Sequence, residues 1–225
     1  LPHDAMIREK RDKDCPSGAQ SGFYPGGVYT YEKKFMAQNE WKKHDVFLEF
    51  EGIYGIARVW INGALAAVNR NGYMGFSVDL KPWISYEHEK IIRIDVDNSK
   101  QPNSRWYSGS GIYRDVNLWT GKDVYISHDK LRITTLSVND DMAVIEVCAQ
   151  LKNIIGHGLE AECLIEIKKD GQKTASDTQR VVFRSEQMQT VRVQIPIEHP
   201  KKWSPKQPAL YECHITTKFD DKICD

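Results

Sequence analysis

Nowhere in these 225 residues is there an apolar run approaching the ~20 residues that a membrane-spanning helix needs. The longest candidate, residues 61–68, is interrupted by Asn62-Gly63. An excess of either charge is also missing. The 31 Lys and Arg residues balance 31 Asp and Glu, so no net field draws the chain onto nucleic acid or an anionic surface. Neither nucleic acid nor membrane is expected as a partner, and a neutral ligand is. Cysteines are few and odd in number: Cys15, Cys148, Cys163, Cys213 and Cys224 contain no C-x-x-C pair. That pattern argues against a disulfide scaffold and against a zinc site. The seven histidines, His3, His44, His88, His128, His157, His199 and His214, lack metal-ligand spacing. No metal and no cofactor is expected. Helical periodicity is nearly absent as well.

What remains is a β-rich pattern. Hydrophobic residues at 40% and charged residues at 28% are ordinary for a packed globular chain, and the length accommodates two domains of about 100–125 residues. From Val28 onward, short alternating runs are separated by turn chemistry, as in antiparallel sandwiches and barrels. Residues 46–50 and 57–61 read as strands. Asn62-Gly63 supplies the two positive-φ residues of a type I′ turn, and residues 64–68 return antiparallel. Strands follow at 75–80, at 91–96, where Ile92, Ile94 and Val96 share a face opposite Arg93 and Asp95, and at 116–119.

Thr120-Gly121-Lys122 is a small polar break that divides the chain into residues 1–122 and 123–225. Beyond it, strands at 143–151, 161–167, 180–183, 189–195 and 210–219 suggest about seven strands in about 100 residues, the count of an immunoglobulin-like sandwich. Cys163 and Cys213 fall on inward faces and read as small core residues. The fold class is therefore all-β, with two consecutive β-sandwiches. The first residue is Leu1, with no initiator methionine or signal sequence, and Asp225 directly follows a strand-like run, so both ends read as cuts in a longer chain.

Catalytic signatures do not assemble. Gly109-Ser110-Gly111 lacks the frame of a nucleophile elbow and precedes a strand rather than a helix. Asp95, Asp97, Glu160 and Glu162 read as the wet faces of strands, and Asp140-Asp141 and Asp220-Asp221 as turns. Trp41, Trp60 and Trp83 lie in or beside strands and read as core.

Several motifs together resemble the amino-terminal region of glycoside hydrolase family two, the β-galactosidase and β-glucuronidase family. They are Leu1-Pro2-His3-Asp4; Pro25-Gly26-Gly27 leading into Tyr31-Glu32-Lys33-Lys34-Phe35; Phe50-Glu51-Gly52; and Val59-Trp60-Ile61-Asn62-Gly63. The most specific is Ser104-Arg105-Trp106-Tyr107-Ser108-Gly109-Ser110-Gly111-Ile112-Tyr113-Arg114-Asp115-Val116, similar to the family segment that runs from a tryptophan through Ser-Gly-Ile to an aromatic and an arginine. The resemblance implies a jelly-roll (galactose-binding-like) β-sandwich followed by an immunoglobulin-like β-sandwich. The two catalytic glutamates would lie on a carboxy-terminal (β/α)₈ barrel that these residues do not include.

It also implies that the 98–110 loop, with its amides, guanidinium and aromatics, leans toward that barrel and helps form the sugar pocket. Asn103, Ser104, Arg105 and Trp106 are the candidate substrate-binding residues, and no catalytic residue is expected here. Ser104 stands where the best-known β-galactosidases place an aspartate. Two other roles stay open: Trp106 as a plug of the sandwich edge, and Arg114 paired with a carboxylate to lock the loop. The implied partners are a β-galactoside or related carbohydrate, the barrel of the same chain, and a second copy in a homo-oligomer. The alternative is a free-standing lectin-like module; a pair of adhesive immunoglobulin-like domains ranks last.

Overall fold

The computed structural model describes residues 1–225. The chain divides into two compact units, Leu1–Thr120 and Gly121–Asp225.

In the first unit, seven strands form a two-sheet sandwich: β1 (Val28–Phe35), β2 (Asp45–Phe50), β3 (Ile56–Ile61), β4 (Ala64–Asn69), β5 (Phe76–Asp79), β6 (Lys90–Asp97) and β7 (Val116–Gly121). One sheet runs β1-β6-β3-β4 and the other β5-β2-β7. Period-2 alternation builds the core. Ala57, Val59 and Ile61 of β3 and Ile92, Ile94 and Val96 of β6 turn inward against Val46, Leu48 and Phe50 of β2. Trp41, on a short 3₁₀ turn ahead of β2, is buried as expected, whereas Trp60 and Trp83 are only half-buried. The β3–β4 hairpin closes through Asn62 and Gly63 at φ 51° and 83°. These are the positive angles of the expected type I′ turn.

One expectation for this unit is overturned. Asp95 lies opposite the core face of β6, yet it is buried rather than wet. Arg93 donates to it through Nε (2.9 Å) and Nη2 (2.8 Å), and Thr30 Oγ1 of the neighbouring strand adds a third bond at 2.8 Å. The Arg93 guanidinium therefore holds the carboxyl below its ordinary range. Period 2 assigns a face, but it does not reveal that long neighbours cover a short acid.

The second unit holds β8 (Val124–Val138), β9 (Met142–Asn153), β10 (Leu159–Lys169), β11 (Gln172–Phe183), β12 (Met188–Glu198), β13 (Glu212–Phe219) and β14 (Lys222–Ile223). The sheets are β11-β10-β13-β14 and β12-β9-β8. Leu159, Ala161, Cys163, Ile165 and Ile167 of β10 face Val191, Val193, Ile195 and Ile197 of β12 across the core. Pro196 is tolerated because β12 is an edge strand. Two-residue turns at Asp170-Gly171 and Asp220-Asp221 close their hairpins with positive φ at both positions. Cys163 is fully buried and Cys213 packs against the same core. Burial pushes the Cys163 thiol up to about 11, so it is an inert filler. All five cysteines are free. The architecture is the expected all-β pair of sandwiches.

Candidate functional site

The amino-terminal residues ahead of β1 form a strap across the end of the first sandwich, and this strap holds the 98–110 loop. His3 N donates to Ile112 O and Ala5 N to Ser110 O, both at 2.7 Å. On the opposite side, Tyr54 and Gly111 exchange backbone bonds at 2.9 and 3.1 Å. The segment between is pinched by backbone on both flanks, which explains its glycines. Gly109 has φ 71°, and a Cβ there would lie 2.8 Å from Asp4 Oδ2; a Cβ on Gly111, at φ 128°, would strike the Tyr31 hydroxyl. Neither position admits a side chain.

Asp4 is the fastener. Its Oδ1 accepts from Ser110 N at 3.0 Å and Met6 N at 3.1 Å, and its Oδ2 accepts from the Tyr107 hydroxyl at 2.5 Å. Burial, then the bond to this carboxylate, raises the Tyr107 hydroxyl above the ordinary tyrosine range. A parallel fastening lies beside it: Glu9 accepts from the Tyr29 hydroxyl (2.6 Å) and Gly26 N (3.1 Å), and Tyr29 is raised in the same way, first by burial. Inside the loop, buried Asn98 donates to Gly109 O at 3.1 Å and accepts from the Asn103 side chain.

The four candidate residues sit together on this clamped loop but behave differently. Asn103 is tied inward to Asn98 and also lines a cleft with Tyr54 and Tyr73. Ser104 is absorbed in a local turn, bonding Trp106 O and, at 2.7 Å, Ser108 Oγ. Arg105 is exposed. Trp106 is 67% exposed, so it does not plug the sandwich edge. Its neighbours satisfy the edge without it: Tyr107 turns back onto Asp4 while the indole points outward. Arg114 forms no carboxylate pair either; its guanidinium lies 5.4 Å from the centroid of the adjacent Tyr113 ring.

Sequence reasoning did not assign roles to Asp4, Tyr107 or Asn98, because their contacts span 92 to 106 residues for all but the local bonds. The Leu1-Pro2-His3-Asp4 motif was the available signal. No group of three His, Cys, Asp or Glu side chains is arranged to hold a metal ion.

A jelly-roll sandwich that presents a clamped loop with an outward indole, followed by an immunoglobulin-like sandwich, defines a two-unit all-β module. The comparisons with known proteins agree. The galactose-binding domain-like model of glycosyl hydrolase 2 matches residues 21–126, and the glycosyl hydrolases family 2 model matches residues 124–225. A β-galactosidase of Bacteroides ovatus is 32% identical over 94% of this chain, and a β-glucuronidase of Formosa agariphila 27% identical over 88%. Among solved structures, a glycosyl hydrolase family 2 member from Bacteroides cellulosilyticus superposes with a TM-score of 0.91 at 27% identity over the whole chain. A β-glycosidase from Bacteroides vulgatus does so at 0.85 and 30%, also over the whole chain. The chain belongs to glycosyl hydrolase family 2 and corresponds to the amino-terminal domains of its β-galactosidases and β-glucuronidases. It spans 25% and 22% of the two curated relatives' lengths and 30% and 28% of the two solved chains. No (β/α)₈ barrel lies within these residues.

Proposed function

We propose that these two sandwiches are the non-catalytic front of a retaining β-galactosidase, buttressing a catalytic barrel and supplying one wall of its sugar pocket through Asn103, Ser104, Arg105 and Trp106. The observation that carries the reading is Trp106. A large indole 67% exposed stands on a loop whose backbone is fastened from both flanks, so the loop is ordered while the indole is left open to a partner. Such an arrangement suits stacking on an apolar pyranose face, with the amide and guanidinium reaching hydroxyls. Retention requires two carboxyl groups about 5 Å apart on a rigid scaffold, a role left to the barrel. Galactoside is favoured over glucuronide by the sequence of residues 98–114 and by the Bacteroides ovatus relative. The division into residues 1–122 and 123–225 is part of the proposal, each piece being a self-contained folding unit.

The test is hydrolysis of a nitrophenyl galactoside. The 225-residue chain alone is expected to give none and to bind galactose no more tightly than about 1 mM, because most of the pocket lies elsewhere. In the full-length enzyme, Trp106→Ala is expected to raise KM several-fold while sparing the fold. Turnover by the 225 residues alone would overturn the reading.

A further inference from the structure

The second unit is closed at one end of its β8–β13 side and open at the other. At the closed end Thr217 Oγ1 donates to Val124 O at 2.7 Å, and Ile126 N donates to Asp225 Oδ2 at 2.8 Å. At the open end lies a cleft of about 530 Å³, lined by Ile133, Val138, Ile145, Ile197, Tyr211 and Cys213, among others. Ile197 there is buried, whereas Tyr211 and Cys213 are half-buried and Ile133 and Val138 are exposed. The apolar interior of the sandwich therefore runs out to solvent, a state that costs stability unless something covers it.

The backbone beside the cleft says what shape of occupant it takes. Within the ladder, β14 pairs with β13 only at Lys222 with Phe219 and at Ile223 with Lys218. Next, Cys224 N donates to Thr217 O at 2.9 Å while Thr217 N donates to Asp225 O at 3.0 Å. Two residues oppose one, a bulge that moves the register by one position. Thr217 thus turns its N–H and C=O toward β14, and the antiparallel repeat turns those of Ile215 and Cys213 the same way, where no strand pairs with them. An occupant that satisfies this edge must offer backbone donors and acceptors at every second residue, and apolar side chains at the same spacing. Only a β-strand does both.

We propose that the cleft is a strand acceptor whose occupant is the segment following Asp225 in the parent chain, which extends β14 along β13 and closes the sandwich. The inference rests on the reading that these residues are the front of a longer enzyme. The bulge fixes the pairing: position 227 lies opposite Ile215, 229 opposite Cys213 and 231 opposite Tyr211, each with an apolar side chain turned into the cleft. The segment is favoured over a strand from a second copy because the Asp225 carbonyl is already in the ladder. Its continuation is delivered to the open edge by the chain itself, whereas a second copy bears the entropy cost of association.

The experiment supplies the strand in trans. A synthetic peptide spelling positions 226–237 of the parent gene is added to the 225-residue protein, and amide hydrogen exchange is followed. At saturating peptide the Ile215 and Cys213 amides are expected to slow at least about tenfold, while the Val181 amide on β11 is unchanged. Methylating the peptide nitrogen at 227 or 229 is expected to abolish the protection, because those N–H groups face β13; methylation at 228, which faces away, is expected to spare it. The opposite methylation pattern would mean an unbulged register and would overturn the pairing. Ile133→Asp, at an exposed position that spares the fold, is expected to weaken capture about tenfold by placing a charge in the cleft. A reading frame that runs on into strand and helix pattern with polar residues at 227, 229 and 231, or a peptide that leaves both amides unprotected, overturns the strand acceptor and leaves the longer enzyme standing. A stop codon after Asp225 overturns both. Protection that is present without peptide and rises with protein concentration makes a second copy the occupant, and it too overturns the proposal.

Discussion

Replacing Asp4 tests the clamp directly. Asp4→Ala removes the acceptor of three hydrogen bonds, to Ser110 N, Met6 N and the Tyr107 hydroxyl. Hydrogen bonds to a charged acceptor are worth about 1.5–3 kcal/mol each when the donor is left buried. Ser110 is buried and Tyr107 is half-buried; Met6 is buried too, but its amide bonds Asp4 locally, two residues away in the strap, and takes no part in holding the loop. Counting about 1.5 kcal/mol for each of the first two gives a local destabilisation of about 3 kcal/mol, and a factor of ten per 1.4 kcal/mol converts it to roughly 100-fold.

The readout is native-state exchange of the Ser110 amide, because it reports local opening and needs no two-state assumption about a two-unit chain. Exchange is expected to accelerate about 100-fold in Asp4→Ala, and by about fivefold in Asp4→Asn, whose Oδ1 still accepts the backbone bonds. Tyr107→Phe combined with Asp4→Asn is expected to be non-additive, since both break the same bond. Unchanged exchange at Ser110 in Asp4→Ala would refute the claim that this carboxylate fastens the loop.

Other outcomes follow from the same structure. Tyr29 and Tyr107 have hydroxyls raised above the ordinary value of 10.0, so the folded state holds their protons more tightly than the unfolded one. Their contribution to stability is complete below pH 10 and is lost as pH rises above it. Alkaline titration monitored by tyrosinate absorbance should show Tyr29 and Tyr107 among the late-ionising tyrosines, with Tyr31 and Tyr73 also raised, and Tyr107→Phe with Tyr29→Phe should flatten the alkaline decline of stability. Phe183→Ala, which empties a fully buried site in the second unit, should cost about 3–5 kcal/mol by urea denaturation of residues 123–225, which are expected to fold alone. Gly63→Ala meets open space but sits at φ 83°, so it should cost the first unit about 1 kcal/mol of backbone strain, seen as a lowered Tm.

The sequence disclosed the fold where local rules act undisturbed. Asn62-Gly63 announces its turn because only such residues accept two positive φ angles, and β6 announces its core face because Ile92, Ile94 and Val96 alternate without interruption. The strand β8 was not legible: its pairing with β9 shifts register between Ile126 and Leu131 and again between Thr135 and Ser137, so Leu131 and Ile133 fall out of step with Leu136 and Val138 and no single period-2 run spans it. Asp95 was misread because its cover comes from side chains on its own strand and the next. The 98–110 loop was recognisable by its residues, but its fastening was not, since Asp4 meets Tyr107 and Ser110 across more than 100 positions. Trp106 illustrates the same limit: residue type favours burial, and only the clamp on either side explains why the indole stays out.

The central claim, that these sandwiches serve a barrel that does the chemistry, is tested most directly by reading the parent gene beyond the codon for Asp225. At least ~300 further residues of alternating strand and helix pattern, with two glutamates at strand ends, are the predicted result. A stop codon at that point would contradict the account and leave a free-standing carbohydrate-binding module in its place.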